Sequence, residues 1–352
     1  MKEFIALDAH KRYSWMEREE VRSRKVRQAR IDHFPGAIRQ SLEGRETGTA
    51  VAVEATGNWY WIVDEIEQAG LEPRLVHPRK AKLMMGMINK TDKLDAHGMN
   101  QLQRNGTLPT VWIPPRELRD LREITRARMV LTGQRTRLKN RVQATLNKYG
   151  LVPQGEASDP FGKKARLSLE EAVQQLPLQT AQVTQMLLRQ LDFIEQQIQE
   201  LEKKIRGLVK DTAEMERLRS QPGIGWILSA VIALEVGDMS RFASAERYAS
   251  YAGTTPRVHS SGDKTRYGRT RMDVNQYLRW AYREAAHSIS LHRNTYPGRH
   301  VSRLYVRIRD RKGHGKAIGA VARHLAEATF HVWMKKETYQ DPMIRKGQSR
   351  EV

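Results

Sequence analysis

The first hundred residues alternate short apolar runs with segments whose apolar positions recur at helical spacing. Phe4-Ile5-Ala6-Leu7 ends on Asp8, and Thr49-Ala50-Val51-Ala52-Val53 ends on Glu54, so both runs read as strands with an acid at the C-terminal end. Trp59, Ile62, Val63, Ile66 and Ala69 then share one helical face that Gly70 stops, and Arg74-Leu75-Val76 reads as a third strand before Pro78. This is the pattern of a β-α-β unit. Asn89 to Asp95 opens a further helix, with Thr91 as its N-cap and Leu94, Gly98 and Leu102 along one face.

Further on the pattern becomes helical. One long helix is expected over 116–148, and Leu151 to Arg166, with Pro153, Gly155, Pro160 and Gly162, reads as an exposed loop. Leu187, Leu191, Ile194, Ile198, Leu201, Ile205 and Leu208 step alternately by four and three, which is a heptad seam. Such a seam can pack back on 116–148 as a helical hairpin or join two copies of the chain. Pro222-Gly223-Ile224-Gly225 leads into the apolar helix Trp226 to Val236. That arrangement resembles a helix-hairpin-helix, whose free N–H groups hold a phosphate, and it equally suits a structural turn. The expected organisation is a multidomain α/β plus α chain: an α/β domain over 1–112, a helical region with coiled-coil patterning over 113–215 and a mainly helical domain over 216–352.

Charge narrows the partners. The 352 residues carry 61 Lys and Arg against 40 Asp and Glu, a formal charge of +21, which a polyanion would neutralise. The longest strongly apolar run, Trp226 to Leu234, is far too short to span a bilayer, and Asp8 breaks the N-terminal run, so no membrane partner and a cytoplasmic location are expected. With no cysteine, thiol catalysis and disulfides are excluded. Between Ile124 and Gly155 no acid occurs, leaving Arg126, Arg128, Arg135, Arg137, Lys139 and Arg141 as a candidate phosphate-binding face. A second basic group, Arg257, Lys264, Arg266, Arg269, Arg271 and Arg279, surrounds Ser260-Ser261-Gly262. Between 299 and 316 only Asp310 opposes seven Arg and Lys.

Two constellations can do chemistry. If the first two strands pair, Asp8 and Glu54 meet at one sheet edge, while Asp92 and Asp95 lie three apart on a helix and share a face. Four clustered carboxylates repel one another unless cations lie between them, and hard oxygen ligands select Mg2+ or Mn2+; two such ions can activate an attacking oxygen and stabilise a leaving one on a phosphodiester. Taken singly, each acid has the simpler reading of a surface charge or a helix N-terminal acid. A serine among guanidinium groups can attack a phosphodiester, with arginine neutralising the developing charge; such serines also merely hydrogen-bond phosphates.

Three blocks, Leu7-Asp8-Ala9-His10-Lys11, Val53-Glu54-Ala55-Thr56-Gly57-Asn58-Trp59-Tyr60 and Lys90-Thr91-Asp92-Lys93-Leu94-Asp95-Ala96, resemble the signature of bacterial insertion-sequence transposases of the "one-ten" group, which includes pilin-gene inverting recombinases. Leu218 to Gly225, Tyr251 to Pro256, Ser260-Ser261-Gly262 and Asn275-Gln276-Tyr277-Leu278-Arg279 resemble that family's C-terminal domain in order and spacing. The resemblance implies a RuvC-like, RNase H-type N-terminal domain with a D-E-D-D tetrad of Asp8, Glu54, Asp92 and Asp95, a helical coiled-coil middle and a C-terminal transposase domain with a catalytic serine. Ser261 aligns with that serine, and Ser260 is its neighbour. It further implies a covalent serine–DNA link completed by the tetrad of another subunit, hence a dimer, or a tetramer in the synaptic complex. A structured bridge RNA pairing with target and donor DNA is implied as well. The chain departs from the family at His77-Pro78, where Asn often precedes the proline, and at Asp263, where a second glycine is common. An RNA-guided DNA recombinase is therefore the leading reading. The alternatives are a RuvC-like junction nuclease without a covalent intermediate and a non-catalytic nucleic-acid scaffold.

Overall fold

The computed structural model describes residues 3–86, 91–151, 159–162, 164–262, 264–271 and 273–342. Expectations resting on Asn89, Lys90, Pro153, Gly155 and Asp263 fall outside them. The chain divides into two compact units, Met1–Pro114 and Pro115–Val352.

The first unit is a five-stranded mixed sheet with helices on both faces. Its elements are β1 (Glu3–Ala9), β2 (Tyr13–Glu20), β3 (Val26–Asp32), α1 (Ala37–Ser41), β4 (Ala50–Glu54), α2 (Trp59–Gln68), β5 (Glu72–Val76), α3 (Pro78–Met85) and α4 (Asp92–Arg104). The strand order is β3-β2-β1-β4-β5, with β1, β4 and β5 parallel and β2 and β3 antiparallel to their neighbours. Strand alternation decides what each face carries. Ile5, Leu7, Val51 and Val53 pack with Ile38, Ile62 and Ile66 of α1 and α2. Ala6, Ala52 and Val76 pack with Ala81 of α3 and with Met99 and Leu102 of α4. Asp8 and Glu54 sit two residues beyond Ala6 and Ala52, so the pleat turns both toward the α3–α4 side.

The hydrophobic pattern concealed β2, because its α4-facing positions are polar. Glu17 is fully buried and accepts from Gln28 Nε2 (2.7 Å) and Asn100 Nδ2 (3.2 Å), with His97 Nδ1 at 2.9 Å. Glu19 takes Arg104 at 2.7 Å and Arg24 at 3.0 Å, so a strand with two buried acids is stable because each is paired. The outer strand β3 is rich in exposed arginine, which suits an edge that must not recruit another strand.

The second unit contains α5 (Arg116–Lys148), α6 (Arg166–Gln174), α7 (Leu178–Leu208), α8 (Ala213–Arg219), α9 (Trp226–Val236), α10 (Ala245–Tyr251), the hairpin β6 (Pro256–Ser261) and β7 (Lys264–Thr270), then α11 (Gln276–Leu291), α12 (His300–Lys312) and α13 (His314–Lys335). The heptad seam of α7 is used within the chain. Leu188, Leu191, Ile194, Ile198 and Ile205 are buried, and α7 packs along α5. At one end Leu188 and Leu191 meet Val142 and Leu146; at the other, Ile205 meets Leu118, Leu121 and Ile124 together with Ala230 and Leu234 of α9. Leu208, expected to close the seam, is 56% exposed and Val209 takes the buried place, because the helix ends there and the backbone turns extended. Replacing Leu191, Ile198 and Ile205 together with Asp should therefore melt the hairpin rather than dissociate copies. Light scattering should show no dissociation preceding the loss of helical circular dichroism, and Ile205→Ala alone should cost about 2–5 kcal/mol.

Candidate active site

The first-unit site is built by three backbone devices. Parallel pairing sets Leu7 opposite Val53, which brings the following residues, Asp8 and Glu54, to neighbouring strand ends. Thr91 caps α4 by accepting from Leu94 N at 3.3 Å, and this fixes Asp92 and Asp95 in the first turn. His77 and Pro78 start α3, the imidazole accepting from Lys80 N, and α3 supplies one wall. The result is a cleft of about 500 Å³ lined by Asp8, His10, Glu54, Asp95, Arg79 and Lys82, among others.

Asp8 is 3% exposed. Burial pushes its carboxyl above the usual range; His10 pulls the other way, and Asp95 and Asp92 push it further up. His10 Nε2 lies 3.2 Å from Asp8 Oδ2 and 3.2 Å from Asp92 Oδ1. The other oxygen of Asp92 accepts from Tyr13 Oη at 2.8 Å, and that bond raises the tyrosine's own pKa. Asp8, His10 and Asp92 offer donor atoms close enough together to hold one cation. A carboxylate whose pKa is raised by burial and by two neighbouring acids fits such an ion, because a cation would offset both. The sequence pattern singled out the acids and passed over His10 and Tyr13. His10 lies in the tight turn between β1 and β2 and Tyr13 begins a strand that was not anticipated.

The raised carboxyl has a sign. The folded state holds the Asp8 proton more tightly than the unfolded chain does, so its contribution is most favourable at low pH and is lost as pH rises through the raised pKa. Without metal, Asp8→Asn should melt at a higher temperature than the wild type at neutral pH, and the gap should close on acidification. Differential scanning calorimetry across pH in chelator reads both.

In the second unit Ser260 and Ser261 lie on an exposed two-stranded ribbon. Gly262 turns the chain at φ 57°, and Ser261 pairs with Lys264, Ser260 with Thr265, His259 with Arg266 and Val258 with Tyr267. Alternation puts His259, Ser261, Lys264 and Arg266 on one face and Val258, Ser260, Thr265 and Tyr267 on the other. Val258 is 57% and Tyr267 71% exposed. A two-stranded ribbon with so little buried surface is marginal alone. Arg257 and Arg269 belong to the same strands; Arg271 pairs with Asp273, and Arg279 donates to the Arg271 carbonyl.

The basic face of α5 is divided. Arg126 is held by fully buried Glu235 at 2.8 Å and lies over Tyr277, Arg128 pairs with Glu202, and Lys139 reaches Asp159 at 3.4 Å and Glu195 at 3.6 Å. These cations are neutralised by the protein itself. Arg137 and Arg141 are exposed and Arg135 is half-buried. Glu235 also accepts from Asn275 Nδ2 at 2.8 Å, while Asn275 Oδ1 caps α11 by accepting from Tyr277 N and Leu278 N. The Asn275 to Arg279 block thus anchors the helix that follows the ribbon. Gly223, at φ 79°, presses against the Ala285 carbonyl, where a Cβ would sit 2.4 Å from the oxygen, so the Pro222 to Gly225 turn has a packing role. The same turn lines a cleft of about 490 Å³ with Arg219 and Arg299. Among the described residues no helix is long and apolar enough to cross a membrane.

Residues 215–301 match the family described as "Transposase IS116/IS110/IS902 family", and residues 5–151 match a family described as "Transposase" with a D-E-D-D designation of the IS110 type. The chain is 29% identical over 237 residues to a "Probable family 20 transposase" of Pseudomonas aeruginosa, covering 65% of this chain and 68% of the relative. It is 25% identical over 293 residues to the transposase for insertion sequence element IS1111A of Coxiella burnetii, covering 82% and 79%. It is 24% identical over 216 residues to the transposase for insertion sequence element IS1328 of Yersinia enterocolitica, covering 61% and 63%.

Proposed function

The chain belongs to the IS110 family of insertion-sequence transposases, enzymes that cleave DNA and transfer its strands, and from that premise we propose that it exchanges strands with a serine nucleophile and a carboxylate-held metal centre under the guidance of an RNA. The observation that carries this reading is the convergence of Asp8, Glu54 and Asp95 in one cleft of the five-stranded mixed sheet, with Asp92 joined to Asp8 through His10. Asp8, Glu54, Asp92 and Asp95 would hold one or two Mg2+ or Mn2+ ions. Bound there, such ions would neutralise the scissile phosphate and favour attack on it.

Ser261 is the favoured nucleophile. Its face of the ribbon carries Lys264 and Arg266, which can balance charge developing on phosphorus, whereas Ser260 faces the side of Val258 and Tyr267. When the Ser261 oxygen replaces a DNA oxygen on phosphorus, phosphodiester energy is stored in the protein–DNA bond and a second DNA end can reclaim it. Arg257, Lys264, Arg266, Arg269, Arg137 and Arg141 would contact phosphates, in keeping with a net charge of +21. A bridge RNA, target and donor DNA, and a dimer or tetramer of the chain complete the proposed assembly, acting in the cytoplasm.

The guidance reading is tested on protein purified from cells that carry its element. Sequencing should find one abundant structured RNA, and ribonuclease treatment should reduce strand exchange to background; undiminished exchange after the RNA is removed would overturn guidance.

A further inference from the structure

The metal reading treats the site as carboxylates alone, yet the side chain at its centre is an imidazole. His10 is held from three directions. Its backbone N–H donates to the Tyr13 carbonyl at 2.9 Å, its carbonyl accepts from Asn58 Nδ2 at 2.8 Å, and its ring lies against Tyr13 with centroids 4.8 Å apart. Asn58 is fixed in turn by Thr56 Oγ1, which donates to its Oδ1 at 2.7 Å. Tyr13 thus touches both His10 and Asp92, and its hydroxyl takes one oxygen of Asp92 so that the other faces the imidazole.

The Nε2 of His10 stands 3.2 Å from one oxygen of Asp8 and 3.2 Å from one of Asp92. Adjacent donors around a six-coordinate ion with bonds of about 2.1 Å stand about 3 Å apart. The same spacing suits an imidazole hydrogen-bonded to a carboxylate, and a metal would then have to push the ring aside. The packing of the ring against Tyr13, on a backbone fixed by Asn58, argues against that movement.

We propose that His10 is a nitrogen ligand of the metal centre, completing a group with Asp8 and Asp92, and that it biases the site toward a transition ion such as Mn2+ over Mg2+. This rests on the reading of the acids as metal ligands. Mg2+ favours an all-oxygen octahedron, whereas an imidazole nitrogen is better accepted by first-row transition ions. The ring lies against Tyr13, and the backbone that carries it is fixed by the Tyr13 carbonyl and Asn58, so the imidazole projects from a defined point beside the two acids.

The test uses the full chain and Mn2+ as probe. Pulsed electron paramagnetic resonance of bound Mn2+ should show nitrogen modulation that changes when the protein is labelled with 15N-histidine. It should be absent in His10→Ala and His10→Gln, both checked for wild-type circular dichroism. In competition binding, His10→Ala should weaken Mn2+ at least about tenfold while Mg2+ changes less, so that the wild-type preference for Mn2+ disappears. Bound Mn2+ without histidine modulation in the wild type, or modulation that persists in both variants, would overturn the proposal. If instead no Mn2+ binds to the wild type, or Asp8→Asn binds it undiminished, the carboxylate centre itself is wrong and His10 falls with it.

Discussion

Asp8→Ala, Glu54→Ala, Asp92→Ala and Asp95→Ala should each lower strand exchange by at least about a thousandfold while leaving RNA binding within a few-fold of wild type. The two effects separate because they have different physical origins. On the proposed mechanism catalysis depends on the metal-holding carboxylates, and Asp8 is nearly buried with a pKa raised by that burial. Affinity for nucleic acid comes from many dispersed Lys and Arg contacts, and removing one acid makes a chain of charge +21 only more basic. Excess chelator should reproduce the loss in the wild type, and added Mg2+ or Mn2+ should restore it there but not in the variants. Full activity of the wild type in chelator, or of any variant with metal present, would contradict the metal reading.

The carboxylates of this site were legible in the sequence because each stands next to a strong local signal. Asp8 and Glu54 terminate apolar runs, and Asp92 and Asp95 follow the Thr91 cap. Thr91 does accept from Leu94 N as its position suggests. Gly98 and Leu102 are buried as their spacing suggests, while Leu94 in the first turn is exposed and Ala96, Met99 and Asn100 widen the buried face, because the helix also covers the polar surface of β2. That strand has no hydrophobic signature for the same reason: Glu17 and Glu19 interrupt any apolar alternation, and the presence of Asn100, His97 and Arg104 opposite makes their burial tolerable. Pairing across 80 residues leaves no trace in local periodicity. His10 carries no signal of its own in the sequence, since a histidine after a strand gains meaning only when two distant acids converge on it. The heptad seam of α7 was plain, but whether it met α5 or another copy depended on apolar positions of α5 that its many arginines obscure. Those arginines illustrate a further limit. A helical stretch without acids looks like a phosphate-binding face until Glu202 and Glu235, far along the chain, are found against Arg128 and Arg126.

The second large effect is expected at Ser261. Ser261→Ala removes one exposed hydroxyl from the tip of a ribbon, so folding and assembly should be unchanged, yet strand exchange should fall to background because the proposed bond to phosphorus is made by that hydroxyl. Ser260→Ala should reduce exchange by less than about tenfold, since its side chain points to the opposite face of the ribbon, beside Thr265 and Tyr267. Lys264→Ala and Arg266→Ala, which neighbour Ser261 on its own face, should each cost about a hundredfold without abolishing the reaction.

The central claim is that the hydroxyl of Ser261 becomes bonded to DNA. The most direct measurement traps the reaction on a nicked substrate with metal present and resolves the products on a denaturing gel, followed by mass spectrometry of the linked peptide. The account predicts a protein–DNA species in the wild type and in Ser260→Ala, attached through Ser261, and none in Ser261→Ala. A linked species that persists in Ser261→Ala and vanishes in Ser260→Ala would move the nucleophile by one residue. Cleaved DNA with no linked species in the active wild type would contradict the serine mechanism and leave a metal-dependent nuclease in its place.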